Sequence, residues 1–232
     1  MRLGALLIQG ARSSCSPDCF ENNPVATQAY GCLIAVMNDV AIIKDAKAAL
    51  RIEASRRRAR LDPARREASA RDVATAGLPF LDLSSGRVIA GYRAIGEEFD
   101  PLPLLETLLG QGHTIVLPVV KAPRMPLIFR RWQPGDRLEM GAFDVLVPTS
   151  DKPTLEPDIL LVPMLTFDRS GYRLGYGAGF YDRTIARLRV ERTVAAVGLA
   201  FAEQEIDAVP HDAFDERLDW VVTPNGPYRI ER

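Results

Sequence analysis

The stretch "DILLVPMLTFDRSGYRLGYGAGFYDRTIARL", residues 158–188, decides the fold. Its opening, Ile159 to Val162, is a continuous apolar run closed by Pro163, the pattern of a strand buried on both faces. Its end, from about Gly179 to Arg189, reads as a helix. Between them Gly175, Gly177 and Gly179 alternate with Tyr176 and Ala178. A tight turn needs one or two glycines. Three in five residues indicate a backbone that a ligand approaches closely, and phosphate is the usual visitor.

In an open α/β sheet, ligands sit beyond the carboxyl ends of the strands, where this loop falls. Amides near Gly177 and Gly179, at the start of a helix, can receive an anion. Arg173 adds a positive charge, and Asp182 offers a carboxylate to a hydrated divalent cation. The loop is not a Walker A motif, because no Gly-Lys-Ser/Thr ends it. It is not a dinucleotide fingerprint either, since Phe180 stands where the third glycine belongs. On the residues alone, a glycine-rich surface loop without a ligand remains open.

Outward from this stretch, short apolar runs alternate with helical patterns. Strands are expected in "RVIAGY" (87–92), "TIVLPVV" (114–120), "LIFRRW" (127–132), "TVAAVGLAF" (193–201) and "DWVVT" (219–223). Asp100-Pro101 starts a helix through "LPLLETLLG", ended by Gly110 and Gly112. Upstream, "DAKAALRIEASRRRARL" predicts a helix with Asp45 as its N-cap and Leu50, Ala54 and Leu61 inward. Asp62-Pro63 opens a second helix to about Ala76. The alternation predicts a three-layer, Rossmann-like α/β sheet with helices on both faces.

Residues 1–44 lack sustained periodicity. They read as a poorly ordered extension, with Met37 the true initiator, before a single domain over 45–232. Cys15, Cys19 and Cys32 all lie there, so the body of the chain holds neither a disulfide nor a thiolate nucleophile. They are expected to be unligated thiols in a reducing cytoplasm. A net charge of −1 provides no basic field for nucleic acid. No apolar run approaches the roughly 20 residues that span a bilayer. The expectation is a soluble cytoplasmic monomer. "RRRAR" (56–60) reads as a solvated helix face, given Glu53, Asp62 and Glu67 nearby. His113 reads as structural and Trp132 as either a core residue or a stacking platform.

At the glycine stretch the sequence resembles a family. "VPMLTFDRSGYRLGYGAGFYDR" is similar to the signature of the 5-formyltetrahydrofolate cyclo-ligases, also called methenyltetrahydrofolate synthetases, and the resemblance covers residues 45–224. It implies the cyclo-ligase and CoA-transferase-like architecture and an ATP- and Mg²⁺-dependent enzyme. Lys47 and Arg51 in "KAALR" match the family's Lys-x-x-x-Arg; spaced i,i+4, they share one helix face. The resemblance implies that they bind ATP together with Arg173, Leu174, Gly175, Tyr176, Gly177, Ala178, Gly179, Phe180 and Tyr181. It implies that Arg93, Glu98 and the segment Tyr176–Tyr181 hold the folate, with Arg173 and Tyr181 positioning the reactants. It implies a magnesium site at Asp182 and Asp215. Glu97 competes with Glu98 for its position, and Asp212 is a decoy beside Asp215. Departures stand at Ala178, where many members carry glycine or lysine, at Tyr176, where some carry a basic residue, and at Val147 in "GAFDVLVP", where a glutamate is usual. The implied reaction converts 5-formyltetrahydrofolate and ATP to 5,10-methenyltetrahydrofolate, ADP and phosphate. The rival is a catalytically weak relative that binds folate or nucleotide as a sensor or store.

Overall fold

The computed structural model describes residues 24–83 and 86–231. The chain divides into two units, Met1–Asp45 and Ala46–Arg232, beside the boundary drawn on the sequence. Cys15, Cys19 and the rest of residues 1–23 lie outside the described residues. The first helix, α1 (Pro24–Ala59), contains Asp45 as an interior residue, which corrects the expected N-cap. No glycine or proline interrupts residues 32–59, so nothing local forces a start at 45.

In the second unit, α2 (Pro63–Ala76) begins as expected: the Asp62 carboxylate accepts from the Ala64 amide at 2.9 Å, and Pro63 opens the first turn. Then follow β1 (Val88–Ala90), α3 (Leu102–Gly110), β2 (Thr114–Val119), β3 (Ile128–Arg131), β4 (Leu138–Met140), β5 (Leu146–Pro148) and β6 (Ile159–Val162). The chain continues with β7 (Thr166–Phe167), β8 (Arg173–Leu174), α4 (Phe180–Glu191), β9 (Ala195–Leu199), β10 (Trp220–Thr223) and β11 (Gly226–Arg229).

Seven strands form the central sheet in the order β11-β10-β9-β6-β1-β2-β3. The five inner strands run parallel, and the edge strands β3 and β11 pair antiparallel. Alternate residues of each strand point to opposite faces. Ile89, Ile115, Leu117, Leu161 and Leu199 pack with Val73 of α2 and Leu105 of α3 in one core. Ala90, Val116, Leu160, Val162 and Ala196 pack with Ile185 and Leu188 of α4 in the other. These two cores make the predicted three layers. All four residues of β6 are buried, as a central parallel strand requires.

Three features escaped the sequence reading: the small hairpins β4–β5 and β7–β8, and the closing strand β11. Strands of two to four residues carry too few alternations for a period to register. Val147 lies buried in β5.

Candidate active site

The β7–β8 hairpin delivers the chain to the glycine loop beyond the end of β6. Gly177 adopts φ +98° and Gly179 +66°, conformations that side chains disfavour. The space beside both is also occupied, in each case by the end of an arginine side chain. A Cβ on Gly177 would stand 3.0 Å from the Arg51 Cζ, and one on Gly179 2.8 Å from an Arg183 nitrogen. Around Gly175, by contrast, the space is open. Gly179 ends the loop as the N-cap of α4, and no side chain caps that helix. Its first amides are therefore available to an anion.

Helix α1 lays a cationic stripe along this loop. Lys47, Arg51, Ala54 and Arg58 follow each other at helical spacing on one face. Arg51 Nε donates to the Gly175 carbonyl at 2.9 Å. Arg58 donates to the Tyr176 hydroxyl at 2.6 Å and, more weakly, to the Met164 carbonyl at 3.4 Å. With 3% of its surface exposed, Arg58 corrects the reading of "RRRAR" as a solvated face. Arg56 and Arg60 fit that reading; Arg57 pairs with Glu53 at 3.9 Å. From α4, Arg183 donates to the Ala178 carbonyl at 2.5 Å. Arg58 and Arg183 thus bring guanidinium groups to Tyr176 and Ala178, the two positions where the sequence lacked a cation.

Lys47 bridges Asp212 at 2.8 Å and Asp215 at 2.5 Å. Burial works against its charge, yet hydrogen bonds to both carboxylates prevail and raise its pKa above the usual value. The same ammonium group holds the Asp212 carboxyl below the ordinary range. Asp212 and Asp215 therefore grip Lys47 together. The buried Arg173 donates to Asp182 at 2.8 Å and to the Glu216 carbonyl at 2.5 Å, and the Glu216 amide also reaches Asp182 at 3.2 Å. One segment, Asp212–Glu216, thereby ties Lys47, Arg173 and both proposed magnesium carboxylates together. The hydrogen bonds to Asp182 fall on Oδ1 and those to Asp215 on Oδ2. Among the described residues, no group of three His, Cys, Asp or Glu side chains is placed to hold a metal alone. Carboxylate oxygens such as these are the hard donors that a magnesium ion would use.

A cleft of about 510 Å³ is lined by Arg66, Tyr92, Arg93, Glu98, Leu105 and Trp132 among others. Trp132 belongs to the core and to the cleft wall at once. Glu98 is 7% exposed and accepts from the Ile95 amide at 2.8 Å, whereas Glu97 faces solvent. Burial raises the Glu98 pKa, opposed by that amide, by the Arg58 charge and by the Tyr176 hydroxyl. The Tyr92 hydroxyl donates to the Phe99 carbonyl at 2.7 Å. Burial foremost, and then the Glu98 charge, raise the pKa of both Tyr92 and Tyr181. Leu174 is buried, with 3% of its surface exposed. Phe180 also packs at the margin of a core, with an edge contact to Phe143 at 5.9 Å between ring centres.

Residues 43–224 match the 5-formyltetrahydrofolate cyclo-ligase family. The chain belongs to this family. It is 36% identical over 147 residues to the 5-formyltetrahydrofolate cyclo-ligase of Mycolicibacterium smegmatis, covering 60% of this chain and 75% of that protein. The Escherichia coli protein of the same name is 30% identical over 174 residues, covering 73% of this chain and 95% of the relative. The fold resembles the NMR structure of Aquifex aeolicus 5,10-methenyltetrahydrofolate synthetase. Its TM-score is 0.67 at 29% identity, covering 80% of this chain and 93% of that one. Among the described residues, no helix of this cyclo-ligase family member is long and apolar enough to cross a membrane.

Proposed function

We propose that the chain closes 5-formyltetrahydrofolate to 5,10-methenyltetrahydrofolate at the expense of ATP, releasing ADP and phosphate. The observations that carry this reading are two: a glycine loop approached by the guanidinium groups of Arg51, Arg58 and Arg183 at an uncapped helix start, and a cleft lined by Glu98. The first suits a polyphosphate, the second a flat heterocycle with N–H groups.

The chemical obstacle is the formyl oxygen, a poor leaving group. In the proposed route that oxygen attacks the γ-phosphorus, the bond to ADP breaks, and an iminium phosphate forms at N5. The N10 lone pair then attacks the same carbon, N10 loses its proton, and phosphate departs with the C–O electrons. The protein's work is positioning and charge stabilisation. Lys47, Arg51 and Arg173 hold the phosphates while amides near Gly177 and Gly179 cradle them. Asp182 and Asp215 would hold Mg²⁺, which neutralises phosphate charge when bound. Glu98 accepts pterin N–H donors, and Arg93 and Trp132 line the same cleft.

The rival reading, a binder without turnover, drew its support from Ala178 and Val147. Arg183 answers the first by supplying a cation at the Ala178 carbonyl. The test is an assay with ATP, Mg²⁺ and 5-formyltetrahydrofolate, following the near-ultraviolet absorbance of the methenyl product. Multiple turnovers that require ATP support the proposal. Ligand binding without product refutes it.

A further inference from the structure

Helix α4 and the residue after it carry four arginines. Three are ion-paired: Arg187 with Glu156 at 2.8 Å and Glu191 at 2.9 Å, Arg189 with Glu216 at 2.6 Å and Asp219 at 2.9 Å, and Arg192 with Asp158 at 2.5 Å. Arg183 differs, because among the described residues no carboxylate pairs with it. Its side chain folds back along the first turn to the glycine loop, where Nη2 donates to the Ala178 carbonyl at 2.5 Å. Its Cζ stands 5.6 Å from the centre of the Phe180 ring, and its Nη1 lies 2.8 Å from where a Cβ on Gly179 would be. The Nε is shielded from solvent and has no hydrogen-bond partner. A guanidinium offers five N–H donors in a flat fork that fits phosphate oxygens. Among the described residues this one makes a single hydrogen bond.

Its position is unfavourable for the helix itself. Arg183 is the fourth residue of α4, at the end where the helix dipole is positive and a cation is disfavoured. Asp182, the acidic residue of that turn, is already engaged by the buried Arg173 at 2.8 Å. Arg51 brings a further guanidinium to the Gly175 carbonyl, and among the described residues it too lacks a carboxylate partner. The loop therefore gathers more positive charge than the neighbouring carboxylates offset. We propose that Arg183 is a phosphate ligand for the nucleotide: the guanidinium held at Ala178 and Gly179 grips the phosphates of ATP together with Arg51. The inference rests on the function proposed above and adds to it a binding residue from α4. Ala178 can donate only through its backbone amide, and Arg183 supplies the charged side-chain donor at that point of the loop.

The test is calorimetric titration of the protein with inorganic tripolyphosphate, which carries the phosphates without a base, and separately with ATP and with 5-formyltetrahydrofolate. Arg183→Ala is expected to weaken tripolyphosphate and ATP binding about tenfold to a hundredfold, as loss of a charge-assisted contact does. Folate binding should stay within about twofold. The Tm of the free variant should hold or rise slightly, because a cation leaves the positive end of the helix. Arg183→Lys should recover part of the affinity. Arg183→Gln keeps an amide donor without the charge, and carries the test if Arg183→Ala does not fold. Arg187→Ala removes the same charge from the same helix at an ion-paired position, and should leave the phosphate affinity within about twofold. A purely structural Arg183 gives another pattern, in which Tm falls and the folate and tripolyphosphate affinities fall together. That pattern overturns the proposal, as does an unchanged tripolyphosphate affinity in Arg183→Ala or an equal loss in Arg187→Ala. A wild-type protein that binds no tripolyphosphate overturns it as well. Should the wild type bind tripolyphosphate but show no turnover with ATP and 5-formyltetrahydrofolate, the functional reading fails, and the comparison of variants still decides the role of Arg183.

Discussion

Gly175→Ala separates a ligand-binding loop from an ordinary turn. A Cβ on Gly175 would meet no atom within 4 Å, and the residue does not adopt a left-handed φ. In the free protein the extra methyl group is therefore harmless. By restricting the unfolded chain it adds about 0.4–1 kcal/mol of stability, which raises Tm by roughly 1–4 °C for a domain of this size. If a phosphate nests against the loop, the methyl group intrudes on the space the ligand needs. Losing one charge-assisted amide contact there costs about 1.5–3 kcal/mol, or roughly a 10- to 100-fold rise in the KM for ATP. The measurements are calorimetry without ligand and turnover at saturating folate. A variant with raised Tm and a KM for ATP within twofold of wild type would refute phosphate binding at this loop.

Gly177→Ala makes the contrasting case, because its left-handed φ and the 3.0 Å approach to Arg51 penalise the folded state itself. It should lose about 1–3 kcal/mol of stability, seen as a lower Tm, together with ATP affinity. Lys47→Ala removes the ammonium that Asp212 and Asp215 share. Nucleotide binding measured by calorimetry should weaken at least tenfold, while affinity for the folate falls little. Asp212 has a folded pKa below the ordinary 3.8, chiefly through its hydrogen bond to Lys47. A depressed carboxyl stabilises above the unfolded pKa and loses that contribution as pH falls through the folded one. Asp212→Asn should therefore lower Tm slightly at pH 7, by an amount fitting a partly exposed pair of about 1 kcal/mol or less. The difference should vanish in acid.

Much of this was written in the sequence. The apolar run Ile159–Val162 reads as a doubly buried strand because a central parallel strand has no solvent face. The glycine alternation marks the loop, and at Gly177 and Gly179 the left-handed backbone selects against a side chain. Less visible was what happens across long sequence separations. Arg58 and Tyr176 are far apart in the chain, and a run of arginines looks solvated until the fold brings a phenol to one of them. The clue was present as the spacing of Lys47, Arg51, Ala54 and Arg58, one continuous helix face. Arg183 escaped notice for the opposite reason. It lies close in sequence, but only the backbone geometry of Gly179 turns the Ala178 carbonyl toward it. Asp212 and Asp215 could not be ranked without Lys47, which contacts both.

The proposed chemistry makes one atom traceable. With oxygen-18 in the formyl group of 5-formyltetrahydrofolate, a single turnover with unlabelled ATP should place the label in the released inorganic phosphate. One labelled oxygen per phosphate is the predicted result in mass spectrometry. Label recovered in water, with phosphate unlabelled, would contradict phosphoryl transfer to the formyl oxygen.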